Sequence, residues 1–205
     1  MIITLDKIGK RYRHDWIFRN INIEFKTGEP SVIQGSNGSG KSTLLQIVSG
    51  FVVPSEGTIT YTEAGKQIPV EQIFRHFSIA SPYLDLIEDF TLAEIIDFNF
   101  SFKKMVDGVT PSQLVELIDL IKAKDKQLRY YSSGMKQRVK LALALFADTP
   151  ILLLDEPTSN LDKKGMDWYR GLVKGHIANR LVIICSNNQP QEFDFCEREL
   201  VLGLH

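Results

Sequence analysis

Cysteine occurs only twice in the 205 residues, as Cys185 and Cys196. Two thiols make no disulfide scaffold, so a reducing cytosol is the expected setting, with Cys185 an inert core thiol in its apolar run. An excess of charge is missing as well: 24 Lys and Arg stand against 25 Asp and Glu, a net charge of −1. A general nucleic-acid binder would be basic, and no nucleic-acid partner is expected. No apolar run approaches the roughly 18 residues of a membrane-spanning helix, and the start, MIITLDKIGKRYRHDW, lacks the pattern of a signal peptide. Repeats, low-complexity tracts and long linkers are absent, so residues 1–205 read as one continuous domain. What is present is an ordinary globular composition, 43% apolar and 24% charged, with enough chain for a substantial core.

Hydrophobic patterning divides this composition into strands and helices. IITLDKI and INIEFK alternate apolar and polar residues, as half-buried antiparallel strands do. PSVIQG enters a glycine-rich loop, and KSTLLQIVSGF then reads as a helix with Leu44, Leu45 and Val48 inward. GTITYT and HFSIAS are further strands. From about Pro82 to Tyr131 the pattern is helical, with Leu114, Leu117, Ile118 and Ile121 spaced for one face. A helix from about Ser133 to Ala147 leads into the strand ILLLDE; a further helix, the strand LVIIC and a final ELVLGL complete the chain. Near-continuous apolar strands alternating with helices predict an α/β fold, its central sheet mainly parallel and covered on both faces. An N-terminal antiparallel β portion precedes it, and the helical stretch of about 82–135 is too long for a single crossover and reads as an insertion.

Three loops carry the chemistry. GSNGSGKST satisfies G-x-x-x-x-G-K-[ST] between a predicted strand and a predicted helix. By accident the pattern would arise in roughly one chain of this length in a hundred. Its residues are Gly35, Ser36, Asn37, Gly38, Ser39, Gly40, Lys41, Ser42 and Thr43. The glycines let successive N–H groups point at phosphate oxygens, and the helix N-terminus adds its positive end. Lys41 is suited to the β and γ phosphates and the Ser42 hydroxyl to Mg²⁺. In ILLLDEPTSNLD, four apolar residues followed by two acids place Asp155 and Glu156 at the mouth of a buried parallel strand. Asp155 suits Mg²⁺, and Glu156 can polarise a water aimed at the γ-phosphate. In YYSSGMKQRVKLALAL, Ser132, Ser133 and Gly134 open a helix, which is either plain capping or a second phosphate-facing helix end.

In this order the motifs resemble the nucleotide-binding domain of the ABC ATPases, and the resemblance covers essentially the whole chain. GSNGSGKST matches the family's Walker A, ILLLDE its Walker B with Glu156 as catalytic glutamate, and SNLD its D-loop with Asp162. YSSGMKQR is similar to the signature Leu-Ser-Gly-Gly-Gln: Ser132 and Gly134 hold, while Tyr131, Ser133 and Met135 depart. Tyr12 falls where the family stacks an aromatic ring on adenine, a contact that gives affinity with little base discrimination. The resemblance implies a P-loop NTPase fold of ABC type that takes ATP and Mg²⁺. It also implies head-to-tail dimers, with a second copy or with another ABC ATPase subunit. There Ser132, Ser133 and Gly134 contact the nucleotide of the partner subunit. A separate integral-membrane permease would dock on the helical insertion, placing the chain peripherally on the cytoplasmic face of the cell membrane.

Two positions depart from the family pattern. Ser81 stands about where a glutamine usually touches Mg²⁺ and the attacking water, and Asn187 stands where a histidine usually touches the γ-phosphate. An asparagine amide can donate to phosphate but cannot shuttle a proton. A working ATPase with atypical accessory residues and a slow or degenerate site that binds ATP to close a dimer are both readings of this set. The function expected is the ATP-hydrolysing subunit of an ABC transporter. The alternative is a non-transport ABC protein that uses ATP-driven dimerisation as a binding switch. No coiled-coil arm, second nucleotide-binding domain or Asn-Lys-x-Asp motif is present to point elsewhere. The chain stops soon after LVIIC, with no regulatory C-terminal domain expected.

Overall fold

The computed structural model describes residues 1–203. Two long strands, β1 (Ile2–Tyr12) and β2 (Asp15–Lys26), form a hairpin that turns at Arg13, whose φ of 56° is left-handed. Both run further than their alternation suggested, so the KRYRHDW stretch forms the strand ends and the turn. Ile3, Leu5 and Ile8 point inward from β1. The strands β4 (Glu56–Glu63) and β5 (Lys66–Ile68) complete an antiparallel sheet of order β2-β1-β4-β5.

The second sheet contains β3 (Ser31–Gln34), β6 (Phe77–Ala80), β7 (Ile151–Asp155), β8 (Leu181–Ser186) and β9 (Arg198–Val201). Its order is β6-β7-β8-β3-β9, and every pairing is parallel. All residues of β7 and β8 are buried, as expected for strands covered on both faces. Their side chains divide by the two-residue period of a strand. Leu152, Leu154, Val182 and Ile184 enter one core, with the helices α4 (Ser133–Leu145) and α5 (Lys163–Gly175). Ile151, Leu153, Leu181, Ile183 and Cys185 enter the other, with α1 (Lys41–Val48) and the antiparallel sheet. Leu44, Leu45 and Val48 of α1 face that core as the pattern required. The predicted final strand ELVLGL is β9, and its Leu204 lies outside the described residues.

The stretch between β6 and β7 is less helical than its sequence suggested. It contains α2 (Leu92–Phe102), α3 (Pro111–Leu117) and short 3₁₀ turns before α4. Capping boxes fix the starts of α2 and α3: Thr91 with Glu94, and Thr110 with Gln113. Of the four residues expected on one helical face, Leu114 and Ile118 are buried, but Leu117 and Ile121 are 41% and 54% exposed. The helix ends there because Asp119 takes a left-handed φ of 60°, so the helical period does not reach Ile121. Leu120, Ala123 and Leu128 from the turns fill that part of the core instead.

Candidate functional site

Sheet order brings three loops to one edge. β8 lies between β7 and β3, with Asp155 opposite Cys185 and Gln34 opposite Ser186. The chain therefore leaves β7 into Glu156, β3 into Gly35 and β8 into Asn187 side by side, at the carboxyl ends of a parallel sheet.

Residues 35–40 turn tightly, with the Ser39 N–H donating to the Ser36 carbonyl at 3.1 Å. Gly40 caps α1 at φ 95° and without a side-chain cap, leaving the first-turn N–H groups for a ligand. A Cβ there would meet Ile17 Cγ2 at 2.5 Å, so the glycine also admits the β1–β2 hairpin against the loop. The Lys41 ammonium lies over the loop and donates to the carbonyls of Gly35 (2.7 Å) and Ser36 (3.1 Å). Asn37, Gly38, Gly40, Lys41, Ser42 and Thr43 line a cleft of about 410 Å³, closed from other directions by Ile17, Tyr83 and Glu156.

Asp155 is buried at the end of β7. Burial pushes its carboxyl above the usual aspartate range; the Glu156 charge adds to this, while the hydroxyls of Ser42 and Ser81 and the Lys41 charge oppose it. Oδ2 accepts from the Ser81 hydroxyl at 3.2 Å, and Oδ1 is buried without a hydrogen-bond partner among the described residues. A buried anionic oxygen left open beside the Ser42 hydroxyl is the donor set of a hard divalent cation, and the residues fit Mg²⁺. Glu156 takes a left-handed φ of 41°, with its N–H bound to the Cys185 carbonyl at 2.9 Å. For a non-glycine residue that is a strained conformation of the kind found at functional sites. It turns the chain at the strand end and places Glu156 on the cleft wall.

The other expected residues are distributed more widely. Ser81 is spent on Asp155 and on the Tyr83 N–H (3.3 Å), and it is Tyr83 that lines the cleft. Asn187 follows β8 half-buried, and Tyr12 stands half-exposed at the end of β1 under the Lys10 ammonium. Neither lines the cleft around the phosphate loop.

Ser132 caps α4 by accepting from the Met135 N–H at 3.2 Å, and Ser133 and Gly134 form the first turn. With Asn160, Leu161 and Asp162 they wall a second cleft of about 410 Å³, and among the described residues the two clefts share no lining side chain. Asp162 caps α5 through the Gly165 N–H (2.7 Å). A Cβ on Gly134 would lie 2.8 Å from the Asn160 carbonyl, so the start of α4 rests directly on the 157–162 loop. That loop is also held from α4 by Gln137, which donates to the Pro157 carbonyl at 2.9 Å. Motif reading missed Tyr83, Ile17 and Gln137; Gln137 stands inside the quoted YSSGMKQR, where its burial was the missing signal.

A parallel sheet whose central strand ends meet a glycine-rich phosphate loop and a paired-acid loop defines a phosphate-loop nucleotide-binding protein. The family model described as ABC transporter matches residues 18–159. Among curated relatives, the cytochrome c biogenesis ATP-binding export protein CcmA of Rhizobium etli is 32% identical over 93% of this chain and 89% of its own. Its namesake from Agrobacterium fabrum is 32% identical over 93% and 90%. Solved structures agree in fold. A dimeric bacterial ABC transporter cassette superposes with a TM-score of 0.82 at 24% identity, covering 98% of this chain and 94% of that one. An ATP-binding subunit of an ABC transporter gives 0.83 at 20% identity, covering 98% and 86%. The chain belongs to the ATP-binding proteins of the ABC transporter family.

Proposed function

We propose that the chain hydrolyses ATP as the motor subunit of an ABC exporter, closing head-to-tail with a second copy around two nucleotides. The observation that carries this reading is the pair of separate clefts. One chain holds a phosphate loop and, elsewhere, a serine-capped helix end, and neither cleft contains the residues of the other. Each becomes a complete ATP site when a second chain supplies the missing half. Export is taken from the names of the relatives, which are 32% identical to this chain.

In the closed pair the N–H groups of residues 38–43 and the Lys41 ammonium hold the phosphates, and Tyr12 lies under the adenine. Ser42 and Asp155 would hold Mg²⁺, which would supply neutralisation of phosphate charge. Glu156 accepts the proton of the water that attacks the γ-phosphate, and the Asn187 amide donates to a γ-oxygen. Ser132, Ser133 and the first turn of α4 face the γ-phosphate held by the other chain, and Asp162 lies at the seam. Because Ser81 is bound to Asp155 and Asn187 carries no exchangeable charge, the isolated pair turns over slowly.

The division into a single domain with a helical subdomain at about 82–135 belongs to this reading. Between β6 and α2 runs an apolar groove of about 460 Å³, with Phe51, Phe74, Leu84, Ile87 and Phe98 well exposed. It is the surface we assign to a separate membrane-embedded permease. No helix among the described residues is long and apolar enough to cross a membrane; a location on the cytoplasmic face, against that permease, is part of the proposal. The test is purification from detergent-solubilised membranes. A polytopic partner should co-purify, and the complex should hydrolyse ATP at a rate that Glu156→Gln reduces by orders of magnitude. Reproducible absence of the partner, or equal rates for the two forms, would overturn the proposal.

A further inference from the structure

Glu192 is an acid with no place in the motifs, yet it is 2% exposed. It sits in the short helix α6 (Pro190–Phe193), which follows the β8 loop. One carboxylate oxygen accepts from both the N–H (2.9 Å) and the hydroxyl (2.7 Å) of Thr158, and the other accepts from the Ser186 hydroxyl at 2.5 Å. Ser186 in turn accepts from the Gln189 N–H at 3.2 Å, and the Tyr169 hydroxyl donates to the Glu192 carbonyl at 2.9 Å. Thr158 lies two residues after Glu156, and Ser186 is the residue before Asn187. A buried carboxylate with three charge-assisted donors is a stiff joint, because loosening it strands every one of them in a dry interior.

We infer that Glu192 is a positioning residue that fixes the Glu156 turn and the Asn187 loop as one unit on either side of the γ-phosphate. It lines neither cleft and acts through Thr158 and Ser186. The turn it holds is the one Gln137 holds from α4, so Glu156 is set from both the β8 loop and the signature helix. The phosphate loop, built on β3 and α1, has no bond to Glu192. Glutamine keeps the shape but removes the charge that strengthens all three bonds, and its Nε2 can only donate, so both loops are loosened.

This inference rests on the hydrolytic reading above, and its test is chosen to stand apart from it. In Glu192→Gln, amide hydrogen exchange should rise at residues 158–162 and 186–189 and stay unchanged at residues 35–48. Unchanged exchange in the first two segments overturns the positioning role, whether or not the protein hydrolyses ATP. In the holocomplex, Glu192→Gln should lower kcat roughly 10- to 100-fold, as misplacement of a reacting group does, with KM for ATP within about twofold of the parent. The same substitution added to Glu156→Gln should lower the residual rate no further. A further fall there, or a loss expressed in KM alone, shows that Glu192 does not act through Glu156. A holocomplex with no hydrolysis in the parent refutes the motor reading instead, and the exchange result still decides the role of Glu192.

Discussion

Two buried carboxylates, Asp155 at the end of β7 and Glu192 in α6, are held in opposite ways. Asp155 keeps one oxygen open, as a cation ligand must, whereas both oxygens of Glu192 are occupied by protein donors. Burial raises the Glu192 carboxyl above the ordinary glutamate range; the donors from Ser186 and Thr158 oppose this, and the Glu156 charge adds to it. A raised folded-state value means that the stability this acid contributes is full below its unfolded pKa and is lost as pH rises through the folded one. Glutamine cannot ionise, so the unfolding midpoint of Glu192→Gln, relative to the parent, should climb as pH rises above the ordinary glutamate value. Thermal melts across that range check the trend; a gap that narrows with rising pH contradicts it. Glu192 was not legible in the sequence because its partner Thr158 lies 34 residues away, and an acid beside Pro190 reads as solvated surface. Lys41, Asp155 and Glu156 were legible because their chemistry is written in adjacent residues. Asn187 and Tyr12 were placed by resemblance, and they stand outside the phosphate-loop cleft.

At the level of elements, the strands were easier to read than the helices between them. β7 and β8 are continuous apolar runs whose ends coincide with the site, because burial on both faces leaves no room for polar residues until the chain leaves the sheet. The stretch before α4 misled because Asp119 breaks the period at a left-handed turn that no glycine announces. The start of α4 makes the contact that matters between elements. Gly134 has an ordinary helical φ, so alanine would favour the helix by up to about 1 kcal/mol. Its Cβ would also press on the Asn160 carbonyl at 2.8 Å, an overpacking worth about 1–3 kcal/mol. The clash wins. Gly134→Ala should lower the melting temperature by about 2–4 °C, the shift that about 1 kcal/mol causes in a chain of this size. It should also lower the ATPase rate by moving the 157–162 loop; a stabilised, fully active variant contradicts the packing.

On the scale of the whole molecule, the phosphate-loop cleft and the cleft at the start of α4 lie apart among the described residues, and the proposed function needs a second copy to bring one of each together. An interface in which each copy gives and receives once is isologous and closes on a two-fold axis. In the proposed pair, ATP bound between the halves would stabilise the dimer by mass action, and hydrolysis would remove that stabilisation. The most direct measurement is the molar mass of Glu156→Gln by light scattering, with and without Mg²⁺ and ATP. The account predicts 23.3 kDa without nucleotide and twice that with it, and a return to monomer when Ser132→Arg blocks the receiving cleft. A protein that binds ATP and remains a monomer, or a dimer indifferent to Ser132→Arg, would contradict it.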